Sequence, residues 1–303
     1  MRGFTKGVLF VVFAYIIWGV LPVYWHILSF AGPLRILGCR IIFSLVFTAI
    51  ALAITGNRTW LRLITQKENR FYTIGAGLVV SLNWGLYIWA VNTGHVIDAS
   101  LGYYINPLVA ILLGLIFLKE KLNILQRGAF VMAVTGVILL TVFSGIFPWI
   151  ALLLAISFGL YGFFKKKSGA AVLEALGAET LAAFPAGLAL LIFPVSEHSG
   201  LLYFSPVQWA IMASTGIVTA IPLLAFATGT KLLPLSTVGF LQFINPTMLF
   251  FLSIFVFGES FPLKNLWAFG FIWAAVILYC ISLGTKRSPK RAALAAKSEQ
   301  DCQ

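Results

Sequence analysis

The sequence predicts an all-α integral membrane protein: ten transmembrane helices in two inverted five-helix repeats. Three observations carry that expectation: an extreme apolar composition, ten runs long enough to span a bilayer, and a match between the two halves of the chain. Of its 303 residues 60% are hydrophobic and only 10% are charged, and the mean hydropathy is +0.99. A soluble chain carries about 25% charged residues to cover its surface, whereas a chain solvated by lipid needs charge only at its edges.

Only helices and closed barrels satisfy every backbone group in lipid, and a spanning helix needs about 17 to 25 mostly apolar residues. Ten segments meet that need: Lys6 to Ile27, Pro33 to Thr55, Tyr72 to Asn92, Ile97 to Leu118, Gln126 to Phe143, Phe147 to Phe164, Val172 to Phe193, Val207 to Thr228, Pro234 to Phe257 and Asn265 to Gly284. The first follows Arg2 and Lys6 as a signal peptide would. Its apolar run continues through Trp18, Pro22 and Trp25 with no small-residue cleavage site, which marks a retained helix. Between the second and third segments, Trp60, Leu61, Leu63 and Ile64 interleave with arginines, as in a short helix on the membrane surface or in a merely solvated loop. Gly77, Ser81 and Gly85 give the third segment a small-residue face for close helix approach. The tail after Gly284 is polar and rich in Lys and Ala, as disordered termini are.

Alternating the sides of these segments sorts the basic residues. One side collects Arg2, Lys6, the arginines and lysine between Arg58 and Arg70, Lys119, Lys121, Arg127, Lys165, Lys166, Lys167, Lys231 and the tail cations. The other collects Lys264 and Arg35. The positive-inside rule then puts both termini in the cytoplasm. The formal net charge of +12 comes from these clusters between apolar runs, so it reports topology and not a nucleic-acid partner.

Comparing the chain with itself, Ile105-Asn106-Pro107 recurs as Ile244-Asn245-Pro246, Glu120 as Glu259, and Ala129-Phe130 as Ala268-Phe269. Upstream, Gly19 pairs with Gly159, Ala90 with Ala227 and Gly102 with Gly239. The halves are residues 1–143 and 147–284, followed by a cytoplasmic tail, 285–303. A unit with an odd number of spans forces the second copy to enter from the opposite side, so the copies form an inverted repeat. That architecture puts a solute site near the midplane between the copies.

The chemistry of the chain excludes most other classes. Cys39 and Cys280 lie in apolar segments and Cys302 in the tail, with no disulfide framework or metal-ligand spacing. There is no nucleophile motif and no glycine-rich phosphate loop, so neither a catalytic set nor a cofactor is expected. His26, His95 and His198 are widely separated near outer ends, where they read as interfacial polar residues or, less simply, as proton relays.

Asn106-Pro107 and Asn245-Pro246 should each kink a helix near its middle, because proline removes a backbone donor and frees a carbonyl. Such backbone is tolerated best beside a polar cavity, although kinks can equally serve only to shape the bundle. Asn83, Trp84, Tyr87 and Tyr103, with Gln242, would add aromatic walls and amides suited to a small amphipathic solute.

Arg40 and Glu179 are the two ionisable residues well inside apolar segments, at equivalent places in the repeats. Arg40 lies about 10 Å below the outer end, counted from Pro33, and Glu179 about 18 Å above the inner surface, counted from Lys167. In a core of about 30 Å the two could meet. They would then line the cavity and bind a zwitterionic solute, or form a structural ion pair, or let the arginine snorkel outward.

Asn83-Trp84, Tyr87-Ile88-Trp89-Ala90-Val91-Asn92, Ser100-Leu101-Gly102-Tyr103-Tyr104-Ile105-Asn106-Pro107 and Leu118-Lys119-Glu120 carry a resemblance, as do Tyr161-Gly162 with the lysines after it, Asn245-Pro246 and Gly258-Glu259. The chain resembles the EamA-type branch of the drug/metabolite transporter superfamily, more closely its RarD-like members, over nearly its whole length before the tail. The resemblance implies a ten-helix carrier of the bacterial inner membrane, exporting metabolites or amino-acid-like compounds, as a monomer or homodimer. It also adds Tyr161 to the residues expected to contact the solute.

The expectation is a secondary transporter of small solutes working by alternating access. The alternatives are a small-solute channel and a non-transporting membrane enzyme or sensor. A periplasm-active reporter should be silent when fused after Gly284 and active in the Ser144–Pro148 turn; activity after Gly284 would overturn the ten-helix arrangement.

Overall fold

The structure is a computed structural model and describes residues 2–57, 59–93, 95–145, 147–192, 204–256 and 265–285. Every regular element among them is helical: α1 (Arg2–Ile27), α2 (Pro33–Ile54), a 3-10 helix (Thr59–Ile64), α3 (Lys67–Asn92), α4 (Val96–Phe117), α5 (Ile124–Ser144), α6 (Trp149–Lys167), α7 (Val172–Ile192), α8 (Pro206–Leu232), α9 (Leu235–Gln242), α10 (Ile244–Phe255) and α11 (Asn265–Thr285). Among the described residues nine stretches are long and apolar enough to cross a membrane, α9 and α10 together supplying one of them as Leu235–Leu252. α3, whose 26 residues reach about 39 Å, is also long enough to cross a bilayer. Glu259, His198, Lys264 and residues 286–303 lie outside the described residues.

The two Asn-Pro copies behave differently. α4 runs unbroken through Pro107, whereas the ninth segment is interrupted at Phe243 and restarts as α10, with Pro246 in its first turn. There the missing N–H costs least, because first-turn donors have no intrahelical acceptor. The ladder resumes when the Thr247 N–H donates to Phe243 O at 3.2 Å.

The described helices form two compact units, and neither is a sequence half. Residues Met1–Lys119 and Phe147–Ser260 make the larger, Glu120–Ile146 and Phe261–Gln303 the smaller. In the smaller unit α5 and α11 pack closely: a Cβ on Gly136 would stand 2.8 Å from Ala268 O. Asn123 and Gln126 cap α5 reciprocally, satisfying two of its orphan N–H donors.

In the larger unit helices from one half pack chiefly on helices from the other. α1 lies against α8 and α10, α2 against α7 and α8, α3 against α6 and α7, and α4 against α6 and α9. Large apolar residues such as Leu9, Ile54 and Phe255 stay exposed, as expected of a surface wetted by lipid. Inward contacts use glycine. A Cβ on Gly216 of α8 would fall 2.3 Å from the Phe43 backbone of α2, and one on Gly239 of α9 would fall 2.7 Å from Pro107 O of α4. The small-residue face expected on α3 works at Gly77, where a Cβ would meet Glu179 O at 2.7 Å; Gly85 faces open space.

The 3-10 helix is docked rather than loose. Trp60, Leu63 and Ile64 pack with Ala170, Ala175 and Ala178, and Asn57 donates to the Glu174 carboxylate beside them.

These contacts set an unequal tolerance to added volume. Gly216→Val should lower the thermal midpoint of purified protein by a cost of about 3 kcal/mol or more. Gly85→Ala, with nothing within 4 Å, should leave it unchanged. Equal losses would show that backbone contact at Gly216 does not hold α2 to α8.

Candidate functional site

The larger unit encloses a cavity of about 160 Å³ whose wall combines α1, α2, α3, α4, α6, α8, α9 and α10. It gathers Arg40, Asn83, Trp84, Tyr87, Tyr103, Asn106, Gln242 and Asn245 from among the residues expected at the site, and adds Trp18, Trp25 and Thr219.

Arg40 projects from α2 between two indole rings, its guanidinium carbon 4.8 Å from the Trp25 centroid and 4.3 Å from the Trp84 centroid. Its Nε donates to Thr219 Oγ1 at 3.2 Å. A charge at bilayer depth costs several kcal/mol, and desolvated cation–π contacts return about 2 kcal/mol each. Two ring faces and one hydroxyl therefore hold the guanidinium with no carboxylate among the described lining residues.

The amides divide into fixed and unsatisfied ones. Asn83 Nδ2 donates to Leu154 O at 2.8 Å and Ser157 Oγ at 2.9 Å, pinning α3 to α6. Gln242 is buried, with its Oε1 3.5 Å from Tyr15 Oη, which also approaches Val238 O at 3.3 Å. Asn106 and Asn245, the repeated pair, are 5% and 8% exposed, and their Oδ1 atoms find no partner among the described residues. Tyr104 ties the two motifs together by donating to Pro246 O at 3.1 Å. Tyr87 and Tyr103 meet edge to face across 5.8 Å.

Tyr161 and Glu179 stand apart from the cavity. Glu179 does not meet Arg40: its Oε1 accepts from Lys165 Nζ at 2.7 Å, both side chains being 2% exposed. Residues 168–171 are not helical, so counting a helical rise from Lys167 overstates the height of Glu179. Glu179 lies seven residues into α7, so about 10 Å from its start, level with the lysine-bearing end of α6. Lys231 and Lys166 reach the same end, where Lys231 donates to Ala170 O and Lys166 to Leu233 O.

Between the cavity and this ion pair lies a layer of aromatic rings. Trp18 and Phe158, both cavity-lining, pack on Phe226 at 5.5 and 5.6 Å. Tyr161 stacks on Phe226 at 5.8 Å, and Lys165 Nζ sits 5.6 Å over the Tyr161 ring. Neither His26 nor His95 lines the cavity; His95 stacks on Trp89 at 5.6 Å.

The missed α1 residues had a signal. Trp18, Leu21, Pro22 and Trp25 follow helical spacing and all line the cavity. An apolar helix hides such a face, because lipid-facing positions are equally hydrophobic.

Removing one member of a buried pair leaves an uncompensated charge or dipole at a cost of about 3 to 5 kcal/mol, whereas an apolar replacement of both is often neutral. Glu179→Leu alone should therefore lower the thermal midpoint and folded yield, and adding Lys165→Met should restore most of the loss. Additive losses would show that the two side chains do not act as a pair.

The profile described as the EamA-like transporter family matches residues 5–142 and again 146–281. The chain is 42% identical over 288 residues to the uncharacterized transporter YojE of Bacillus subtilis strain 168, covering 91% of this chain and 94% of that one. It is 39% identical to protein RarD of Streptomyces exfoliatus, with 90% and 87% covered, and 35% identical to protein RarD of Escherichia coli K12, with 90% and 93% covered. A solved crystal structure superposes with a TM-score of 0.67 at 18% identity, covering 90% of this chain and 96% of that one, which is a likeness of fold.

Proposed function

Because the chain belongs to the EamA-like transporter family, we propose that it is a secondary carrier moving small metabolites or amino-acid-like solutes across the bacterial inner membrane by alternating access. Membership of that family makes it a membrane transport protein rather than an enzyme. Residues 1–143 and 147–284 act in this reading as inverted repeats, with both termini cytoplasmic and export as the direction of net flux. The separate family matches to 5–142 and 146–281 support the repeat, and the sorted basic residues support the orientation.

The observation that carries the reading is the cavity itself. Helices of both halves line it, its polar groups include Arg40, Asn83 and the two repeated asparagines, and aromatic rings separate it from the lysine-bearing end. A carrier needs a solute site whose access changes when the halves shift, and helices packed across the halves provide one. A channel needs a continuous aqueous path, which the contacts among Trp18, Phe158, Tyr161 and Phe226 interrupt.

Purified protein in liposomes loaded with a metabolite mixture should show saturable uptake of labelled solute that is accelerated by the same solute inside. Uptake rising linearly with concentration, with no counterflow, would replace the carrier by a channel.

A further inference from the structure

We propose that the cavity is built for an organic monoanion: a carboxylate on an aromatic or apolar body, without an ammonium group. The inference rests on reading this cavity as the solute site and deepens it by naming the solute's charge.

Arg40 is the starting point. Its hydrogen bonding to the protein, among the described residues, is the Nε contact to Thr219 Oγ1. The Nη donors remain for a ligand, and a guanidinium offers them as a planar fork matched to a carboxylate. Its carbon sits over the Trp25 and Trp84 rings, so the group is held in place without a carboxylate to balance its charge among the described lining residues. A cation at that depth calls for an anion, and the described wall supplies none. The carboxylate closest to that role by sequence, Glu179, is taken by Lys165 outside the cavity.

The same facts argue against an amino acid as the preferred solute. An ammonium group would find no carboxylate among the described lining residues, and it would stand close to a like charge. The two indoles nearest Arg40 already serve the guanidinium. What the remaining wall does offer is neutral. The side-chain Oδ1 atoms of Asn106 and Asn245 find no partner among the described residues, so each side-chain amide can turn toward a hydroxyl or carbonyl of the solute. Tyr87, Tyr103 and Trp18 supply apolar surface for its body.

A matched set of probes isolates the charge: 4-hydroxyphenylacetate, its neutral amide 4-hydroxyphenylacetamide, the amine tyramine and the zwitterion tyrosine. Titration calorimetry on the full chain in nanodiscs should give the acid an affinity about tenfold or more above the amide, with the amine weakest and tyrosine below the acid. In Arg40→Gln the acid and the amide should bind alike, and Arg40→Lys should keep a reduced preference for the acid. The proposal is overturned if amide equals acid in the unaltered protein, if the amine or zwitterion binds best, if the preference survives Arg40→Gln, or if none of the four binds. Any of these could occur while saturable counterflow of other solutes persists, so the carrier reading stands or falls separately.

Discussion

Lipid supplies no hydrophobic force to press one apolar helix against another, and the way this chain holds together follows from that absence. Its helices cohere where backbones touch: Gly216 against Phe43, Gly229 against Gly7 and Val11, Gly239 against Pro107 and Ile111. Each of these contacts joins a helix of the second half to one of the first. Neither half therefore has a core of its own, and the main cluster of buried residues mixes Tyr15 and Val11 with Phe226, Leu235 and Val238. A chain packed this way buries its interior contacts between helices of the two halves.

The cavity forms where wide side chains prevent that close approach. Trp18, Trp25, Trp84 and Phe158 hold α1, α2, α3 and α6 apart around it, and the polar groups that could not face lipid gather on its wall. Asn83 serves as a fixed strut through its two donated hydrogen bonds, whereas Asn106 and Asn245 keep unsatisfied amides. The asymmetry between the copies at Phe243 matters here. One Asn-Pro sits inside a continuous helix and the other at a helix restart, so matching motifs stand on different backbone.

The two buried charges noticed in the sequence are resolved in opposite ways. Glu179 is paired within the protein by Lys165, whose Nζ also lies over the Tyr161 ring. Arg40 is held by ring faces and one hydroxyl, an environment that tolerates the charge without cancelling it. The first pairs its charge inside the protein, leaving Glu179 Oε2 without a partner among the described residues, whereas the second has no carboxylate on the described wall.

The number, order and approximate limits of the helices were legible in the sequence, because hydropathy and length are local and lipid penalises every exception. Limits erred where hydropathy marks the membrane edge and not the helix end: α3 starts at Lys67, not Tyr72, since charged residues continue a helix readily. The repeat motifs pointed to Asn106, Asn245 and the residues around them, and the cost of a charge in lipid pointed to Arg40 and Glu179. Which charges meet was beyond the sequence. Pairing depends on where a turn stops rising and which face of α7 looks at α6, and those are set by packing between helices distant in the chain. The same packing decided that Trp18, Trp25 and Thr219 line the cavity while Tyr161 lies outside its wall, because in a helix apolar on every side only its neighbours distinguish an inward face from one that meets lipid.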